Sequence, residues 1–256
     1  MAATAWAVRA LAESLPALPS PARPLPLPSF DDSGLPWARA ALFGAPRDLA
    51  NIPPNAATPA GTSALMMAAD QPRKVELLLQ RGANPHAVSK AGYDALMIAA
   101  LHYGNSKSVK RLLRAGVPAS PSRNVRNQAS ALAHAVMAND PGMVKLLLSN
   151  GASPMRGFGL LGSPQPVPLL NLALTFGSVP NIRLLAQAGV PVDSPDADGM
   201  TPLSWAALSL RPAAVKALLE LGANPNNKDR FGLTPLDHSK AVADAPGDTT
   251  ALLLGR

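Results

Sequence analysis

The 256-residue chain contains no cysteine, and aromatic residues make up only 4% of it. Without cysteine there is no disulfide framework, no zinc site built on thiolates and no cysteine nucleophile. Hydrophobic residues nevertheless reach 47%, and most of them are alanine and leucine. This composition favours thin helices that pack closely.

Charged residues are also scarce, at 15%, and leave a net charge of +7. The chain has no dense run of lysine and arginine of the kind that binds nucleic acid, so a nucleic-acid ligand is not expected. The positive excess makes an acidic partner more plausible than a basic one.

Long apolar runs are missing as well. No window holds 18 consecutive apolar residues, so membrane insertion is not expected. Arg9 and Glu13 interrupt the apolar N-terminal stretch, which therefore does not have the pattern of a signal peptide. The expected location is the cytoplasm, or the periplasm or the exterior if a signal peptide has been removed.

A motif of two leucines, two or three further residues and a glycine recurs along the chain. Its glycines are Gly82, Gly116, Gly151, Gly189 and Gly222, at successive steps of 34, 35, 38 and 33 residues. A near-constant step of this size is typical of stacked repeats.

Residues 196–226 form the clearest unit of this pattern. Thr201 suits the N-cap of a first helix, and Pro202 suits its first turn. Gly222 suits the left-handed position that ends a second helix, because it has no side chain to clash. Each unit is thus predicted to be a helix, a turn and a second helix.

The starts GMTPLSWAA and FGLTPLDH and the endings LLELGANPN and LLLQRGANP, at a period near 33, resemble the ankyrin repeat over residues 61–239. The resemblance implies an all-α solenoid of stacked helix-turn-helix units with short hairpin-like loops and helical caps. We assign repeats to about 61–91, 92–125, 126–165, 166–197 and 198–230, and a partial capping repeat to 231–256.

Two N-terminal segments precede these repeats. We assign an N-terminal cap to residues 35–60, and a helix followed by a proline-rich segment to residues 1–34. The proline density of that segment predicts an extended linker or strap along the solenoid, with a docking motif for another domain as the alternative.

The repeats differ locally. The inter-helix turn of the first repeat is predicted to be short, and that of the second to carry one extra residue near Tyr103. Gln128 stands where the fifth repeat has Gly199, which puts the usual hairpin turn of the third repeat in doubt. Residues 155–167 are predicted to form an enlarged loop that is mobile or faces a partner. The final second helix is predicted over residues 249–254, without a glycine ending.

The histidines are the first candidates for catalysis or metal binding. His134 and His238 occupy one position in repeats three and six, so a helix spacing of about 8–10 Å separates them by roughly 25–30 Å. They cannot share a metal ion. His102 and His134 lie in adjacent repeats, but no third ligand is in phase with them. We therefore expect exposed or packing histidines and no metal.

The carboxylates are the second candidates. Asp193, Asp196 and Asp198 precede a turn, but no bidentate glutamate follows, as a calcium loop would require. Asp196 is more simply the turn aspartate of an ankyrin repeat. The chain also lacks a glycine-rich phosphate loop and a Gly-x-Ser-x-Gly elbow. We expect no cofactor and no enzymatic activity.

The resemblance implies that partners bind the concave side, formed by the first helices, and the hairpin tips beside it. Aromatic residues often dominate binding energy, so Trp205, Phe176, Tyr103 and Tyr93 are the main candidates. Some of the apolar side chains could instead pack between repeats or under the N-terminal segment. The full predicted set is Tyr93, Ile98, Leu101, His102, Tyr103, His134, Met137, Leu172, Thr175, Phe176, Met200, Trp205, Leu208 and Ser209.

A second candidate surface consists of Lys107, Lys110, Arg111 and Arg114, which gather on one side of a helix. A solvated face is the simpler interpretation, and contact with an acidic partner is the alternative.

The function predicted from the sequence is a non-catalytic scaffold, monomeric on its own, that binds a partner protein. Two alternatives stay open. One is an inhibitor or immunity-type protein that neutralises an enzyme or toxin, in keeping with a bacterial-like composition rich in alanine, proline and arginine. The other is a secreted effector or structural adaptor.

Overall fold

The computed structural model describes residues 36–120, 130–155, 167–176, 178–242 and 247–255. These residues form thirteen α-helices and one 3₁₀ helix, and they contain no β-strand beyond an isolated bridge between Ala57 and Ser63. The predicted all-α architecture is confirmed. The proline-rich segment, Gln128 and most of the 155–167 loop lie outside the described residues.

The helices alternate in two sets after α1 (Pro36–Phe43) and the 3₁₀ helix (Pro46–Asn51). The first helices of successive repeats are α2 (Ala64–Met67), α4 (Ala95–Leu101), α6 (Ala131–Met137), α8 (Leu169–Thr175), α10 (Pro202–Leu208) and α12 (Pro235–Val242). The second helices are α3 (Pro72–Gln80), α5 (Ser106–Arg114), α7 (Pro141–Ser149), α9 (Val179–Gln187), α11 (Pro212–Glu220) and α13 (Asp248–Leu253).

Each set packs mainly against its own kind along the stack and against its partner helix within a repeat. The first helices α1, α2, α4, α6, α8, α10 and α12 contact one another in that order, and we call them the first-helix layer. The helices α3, α5, α7, α9, α11 and α13 likewise form the second-helix layer. A continuous apolar core lies between the two layers.

Local sequence sets the ends of these helices. The Thr201 hydroxyl accepts a hydrogen bond from the Ser204 N–H at 3.2 Å, and α10 begins at Pro202 as predicted. Gly222 follows α11 with φ +89°, the left-handed conformation expected of it. Gly255 also has φ +71° after α13, so the prediction of a last helix without a glycine ending was wrong.

The inter-helix turns vary as predicted. Helix α3 has its N-cap at Gln71, eight residues after the cap of α2 at Ser63, whereas Asn105 follows Asp94 by eleven residues. The first turn is therefore short and the second long.

Alanines at the centre of the first helices allow the close packing of the layer. Ala68, Ala99, Ala135, Ala173 and Ala206 are all fully buried. Small side chains let neighbouring helices approach and fill the narrow interior without voids. This explains why the chain needs few aromatic residues.

Polar groups connect several repeats to the preceding one by two kinds of hydrogen bond. In the first kind, the side chain that precedes a second helix donates to the carbonyl end of the first helix of the previous repeat. In the second kind, a backbone N–H after the glycine turn donates to a loop side chain of the previous repeat. The first kind comprises Gln71 to Leu42 O, Asn105 to Ala69 O and Arg211 to Leu174 O. The second comprises Asn84 to Asn55, Ser153 to Ser120 and Asn224 to Asp193.

A buried lysine holds the N-terminal helix in place. Lys74 on α3 is fully buried, and its Nζ donates to Ala40 O at 3.1 Å and to Ala41 O at 2.8 Å. These carbonyls belong to the last turn of α1, where the helix dipole favours a cation. Burial lowers the pKa of Lys74, while the carboxylates of Asp70 and Asp48 oppose that shift.

Candidate protein-binding surface

The predicted contact residues lie on the first-helix layer, with very different exposure. Those exposed to solvent are Leu101, His102, Tyr103, Thr175, Phe176 and Ser209. Half-buried residues are Tyr93, Ile98, Met137 and Trp205. Four residues are buried within the stack, where they offer little area to a partner: His134, Leu172, Met200 and Leu208.

Six of the ten exposed large apolar residues in the described part of the chain share one place in the repeat, at or just after the C-terminal end of a first helix. Tyr103 has 76% of its surface exposed and Phe43, at the end of α1, has 66%. We call this set the apolar edge: Phe43, Leu101, Tyr103, Phe176, Leu210 and Val242. Repeats one and three place the polar residues Asp70 and Asn139 there, so the edge is interrupted.

Phe43, Leu210 and Val242 were missed in the sequence. The signal that could have found them is the register of the helix ends, because these positions follow the last core residue of each first helix.

Leu210 has an unusual backbone conformation, with φ +49°. In the third repeat the equivalent residue is Asn139, with φ +51°. Asparagine adopts the left-handed region readily, whereas other L-residues lose roughly 1–2 kcal/mol there. The turn therefore holds an apolar side chain, 40% exposed, at a position where asparagine is the easier choice.

In repeats five and six, the residue at the position of Trp205 contacts the aspartate of its own hairpin turn. Trp205 Nε1 donates to Asp196 Oδ2 at 2.6 Å, and His238 Nε2 lies 2.9 Å from Asp229 Oδ2. Asp196 Oδ1 also accepts the backbone N–H groups of Asp198 and Met200, which confirms the turn aspartate. Part of the Trp205 ring thus stabilises its own hairpin turn.

His134 is enclosed by its neighbours. Its Nδ1 donates to Ser130 O at 2.8 Å, and its ring meets Tyr93 edge to face with centroids 5.8 Å apart. Burial lowers the pKa of His134, partly offset by the Ser130 carbonyl and by Asp94. Burial raises the pKa of Asp94, against the N–H groups at the start of α4. Burial therefore shifts both pKa values in the direction that favours the neutral form.

The hairpin tips add a second exposed element beside the apolar edge. Phe231 is exposed, and the guanidinium of Arg230 stacks over its ring at 4.7 Å from the centroid. Arg230 also pairs with Asp198 of the preceding tip at 2.6 Å. An aromatic ring and a cation are thus presented together at the tip of the last hairpin.

The described residues contain neither a metal-binding cluster nor a membrane-spanning helix. Across the described residues, no three His, Cys, Asp or Glu side chains lie close enough together to hold a metal ion. Within the same part of the chain, no helix has the length and apolar character needed to cross a bilayer.

The chain is similar to known proteins that contain ankyrin repeats. A family model of ankyrin repeats in three copies matches residues 65–157 and 163–229. SH3 and multiple ankyrin repeat domains protein 1 from Homo sapiens is 46% identical over 89 residues, 35% of this chain. The match spans only 4% of that relative's length.

Two solved structures are similar over most of the chain. The human ASB11 ankyrin repeat domain has a TM-score of 0.72 and 25% identity, with 86% of this chain and 97% of that one covered. The ankyrin repeat domain of Bcl-3, an IkappaB family member, has a TM-score of 0.67 and 24% identity, with 86% and 98% covered. Ankyrin repeats are generally modules of protein–protein interaction. The chain belongs to the ankyrin repeat family.

Proposed function

We propose that this chain is a non-catalytic scaffold that binds a partner protein through the apolar edge and the neighbouring hairpin tips. The observation that carries the proposal is the recurrence of exposed apolar side chains at the ends of α1, α4, α8, α10 and α12. The fold does not require these side chains, since Asp70 and Asn139 occupy the same edge in other repeats.

Burial of the apolar edge by a partner would contribute favourable free energy of binding. Fully burying a phenylalanine or leucine side chain contributes about 1.5–3 kcal/mol, and the edge offers several that are already partly exposed. Because the helices that carry them are packed on a continuous core, binding orders little of the chain and loses little conformational entropy.

The titratable groups of the first-helix layer support a non-catalytic role. Asp196 and Asp229 accept hydrogen bonds from their own hairpins, and Asp94 caps α4 through the Met97 N–H. His102 Nδ1 donates to Ile98 O within its own helix at 2.9 Å. Each group is already engaged in holding the local backbone.

The same edge would serve an adaptor or an inhibitor. We favour the adaptor, because the exposed apolar residues are spread over several repeats instead of converging on one cleft that could seal an active site. The activity of the bound partner separates the two roles: an adaptor leaves it unchanged and an inhibitor abolishes it.

The decisive experiment compares two double variants that each remove two exposed apolar side chains. Tyr103→Ser with Phe176→Ser changes the edge, and Met155→Ser with Leu254→Ser changes exposed residues elsewhere. Wild-type protein is used to isolate partners from the source organism, and affinities are then measured with the purified partner by calorimetry.

The edge variant is expected to lower affinity at least about tenfold, equivalent to about 1.4 kcal/mol, with an unchanged melting temperature. The control variant is expected to bind like wild type. Equal affinity of the two variants would overturn the proposal.

A further inference from the structure

The second-helix layer carries a row of charged side chains that the sequence motif does not require. In the second helices α3, α5, α7, α9 and α11, a buried valine or isoleucine is followed by a charged residue that is exposed or partly exposed. These residues are Glu76, Lys110, Lys145, Arg183 and Lys216. Four consecutive repeats therefore present a cation at the same register.

Two of these cations border a cleft between α5 and α7. The cleft has a volume of about 370 Å³, within the range of small binding pockets. Lys110 and Lys145 line it together with the half-buried Leu146 and the almost wholly buried Met143. It combines two positive charges with a small apolar surface at Leu146.

The third charged group of the cleft is already engaged. Asp140 accepts the Met143 N–H with Oδ1 at 2.9 Å and the Gly104 N–H with Oδ2 at 2.8 Å. Its carboxylate thus caps α7 and joins two repeats. With two lysines and one aspartate, the cleft keeps an excess of one positive charge.

The two lysines are not neutralised by nearby carboxylates. Arg111 pairs with Glu76 at 2.8 Å, and Arg183 pairs with Glu220. In contrast, neither Lys110 nor Lys145 has a carboxylate within 4 Å among the residues that the structure describes. Lys107 and Arg114 are also exposed on α5, one turn before and one turn after Lys110.

We propose that this cleft binds an acidic peptide segment of a partner protein. A glutamate or aspartate carboxylate lies between Lys110 and Lys145, and the aliphatic part of the segment contacts Leu146. Further acidic residues of the segment follow the cations of α5. Gly104 of the cleft directly follows Tyr103 of the apolar edge, so the two surfaces adjoin there, but the lysines that bind the segment are not part of the edge.

The chemistry of the layer favours a peptide over nucleic acid or a membrane. Stacking of bases requires exposed aromatic rings, and insertion into a bilayer surface requires exposed apolar side chains. Among the described residues, the exposed large apolar side chains all lie outside α3, α5, α7, α9 and α11. The half-buried Leu146 of the cleft, in contrast, suits the aliphatic part of a peptide.

The test uses the full chain and a fluorescein-labelled peptide of about eight glutamates, which spans roughly 25 Å when extended. Lys110→Gln with Lys145→Gln removes the two lysines of the cleft. Lys216→Gln with Lys228→Gln removes two exposed lysines elsewhere, one of them at the same register. The net charge of the two variants is therefore equal.

Binding is measured by fluorescence anisotropy at about 50 mM salt, where screening is weak. The cleft variant is expected to bind the peptide about tenfold more weakly than wild type, and the control variant within about twofold of it. Higher salt is expected to weaken wild-type binding. Urea melts check that both variants fold like wild type.

Equal affinity of the two variants would overturn the proposal, since it would show attraction by net charge alone. A single-stranded oligonucleotide and vesicles that contain an anionic phospholipid serve as competing ligands. The proposal is also overturned if the oligonucleotide or the vesicles lose affinity in the cleft variant while the peptide binds that variant as it binds wild type. Phe43→Ser with Leu210→Ser changes two apolar-edge residues outside the two repeats that line the cleft. This variant is expected to bind the peptide normally, which keeps the result separate from the first proposal.

Discussion

Replacing Gly199 by alanine tests how closely the hairpins of neighbouring repeats pack. Gly199 has φ +79°. A Cβ added there would lie 3.1 Å from Arg230 N and 3.3 Å from Asp229 Cα, both backbone atoms of the next hairpin. The same junction contains a hydrogen bond from Arg230 N to Asp198 O at 3.1 Å.

The matched control is Gly222→Ala. Gly222 has φ +89°, and a Cβ there would meet nothing within 4 Å. Both substitutions incur the left-handed cost of an L-residue, about 1–2 kcal/mol. Only Gly199→Ala also crowds a neighbouring backbone, at a typical cost of about 1–3 kcal/mol. The difference between the two variants therefore isolates the contact between repeats.

Urea denaturation followed by circular dichroism measures this difference. Gly199→Ala is expected to lower the free energy of unfolding by about 1–3 kcal/mol more than Gly222→Ala does. Because each repeat of a solenoid contacts only its neighbours, hydrogen exchange of the Arg230 amide is expected to accelerate in Gly199→Ala alone. Equal destabilisation of the two variants would refute the packing between hairpins described here.

Three further predictions concern the first-helix layer. Trp205→Phe removes the Nε1 donor to Asp196 and is expected to lower the free energy of unfolding in urea by about 1–2 kcal/mol; an unchanged value would show that the bond contributes nothing. Burial lowers the pKa of His134 in the folded chain, whereas an unperturbed histidine has a pKa of about 6.5. Below that pH the unfolded chain therefore binds more protons than the folded chain. The free energy of unfolding is expected to decrease as the pH is lowered in that range, by at most about 1.4 kcal/mol per pH unit. His134→Leu is expected to reduce this slope, and an identical slope would contradict the assignment. Leu210→Asn removes the strain of a left-handed leucine but also loses the burial of part of its side chain, and each effect is about 1 kcal/mol. The free energy of unfolding is therefore expected to stay within about 1 kcal/mol of wild type. Partner binding measured by calorimetry is expected to weaken, and unchanged binding would contradict the proposed edge.

The helix ends were predictable because their signals are local. A helix end that requires φ near +90° selects glycine whatever surrounds it, so Gly82, Gly116 and Gly151 indicated the period directly. An N-cap such as Thr201 likewise bonds only to its own helix. Patterns of this kind survive in sequence because they depend on a few consecutive residues.

The binding surface was predicted less completely because exposure depends on neighbouring repeats. Leu172 and Phe176 lie one helical turn apart on the same first helix, yet the adjacent repeats bury the former and leave the latter exposed. The hydrogen bond of Trp205 to Asp196 joins residues nine positions apart. Their spacing in the sequence does not indicate that the Trp205 side chain is half-buried.

The sequence by itself determined the repeat, its period, the order of helices and their caps, since each of these is a requirement of the local backbone. Only the tertiary structure decided which side chains face solvent and which join the repeats. The burial of Lys74 against α1, the apolar edge and the cleft between Lys110 and Lys145 all arise where residues about one repeat apart meet. Their distances depend on how the helices stack, a quantity that no short stretch of sequence contains.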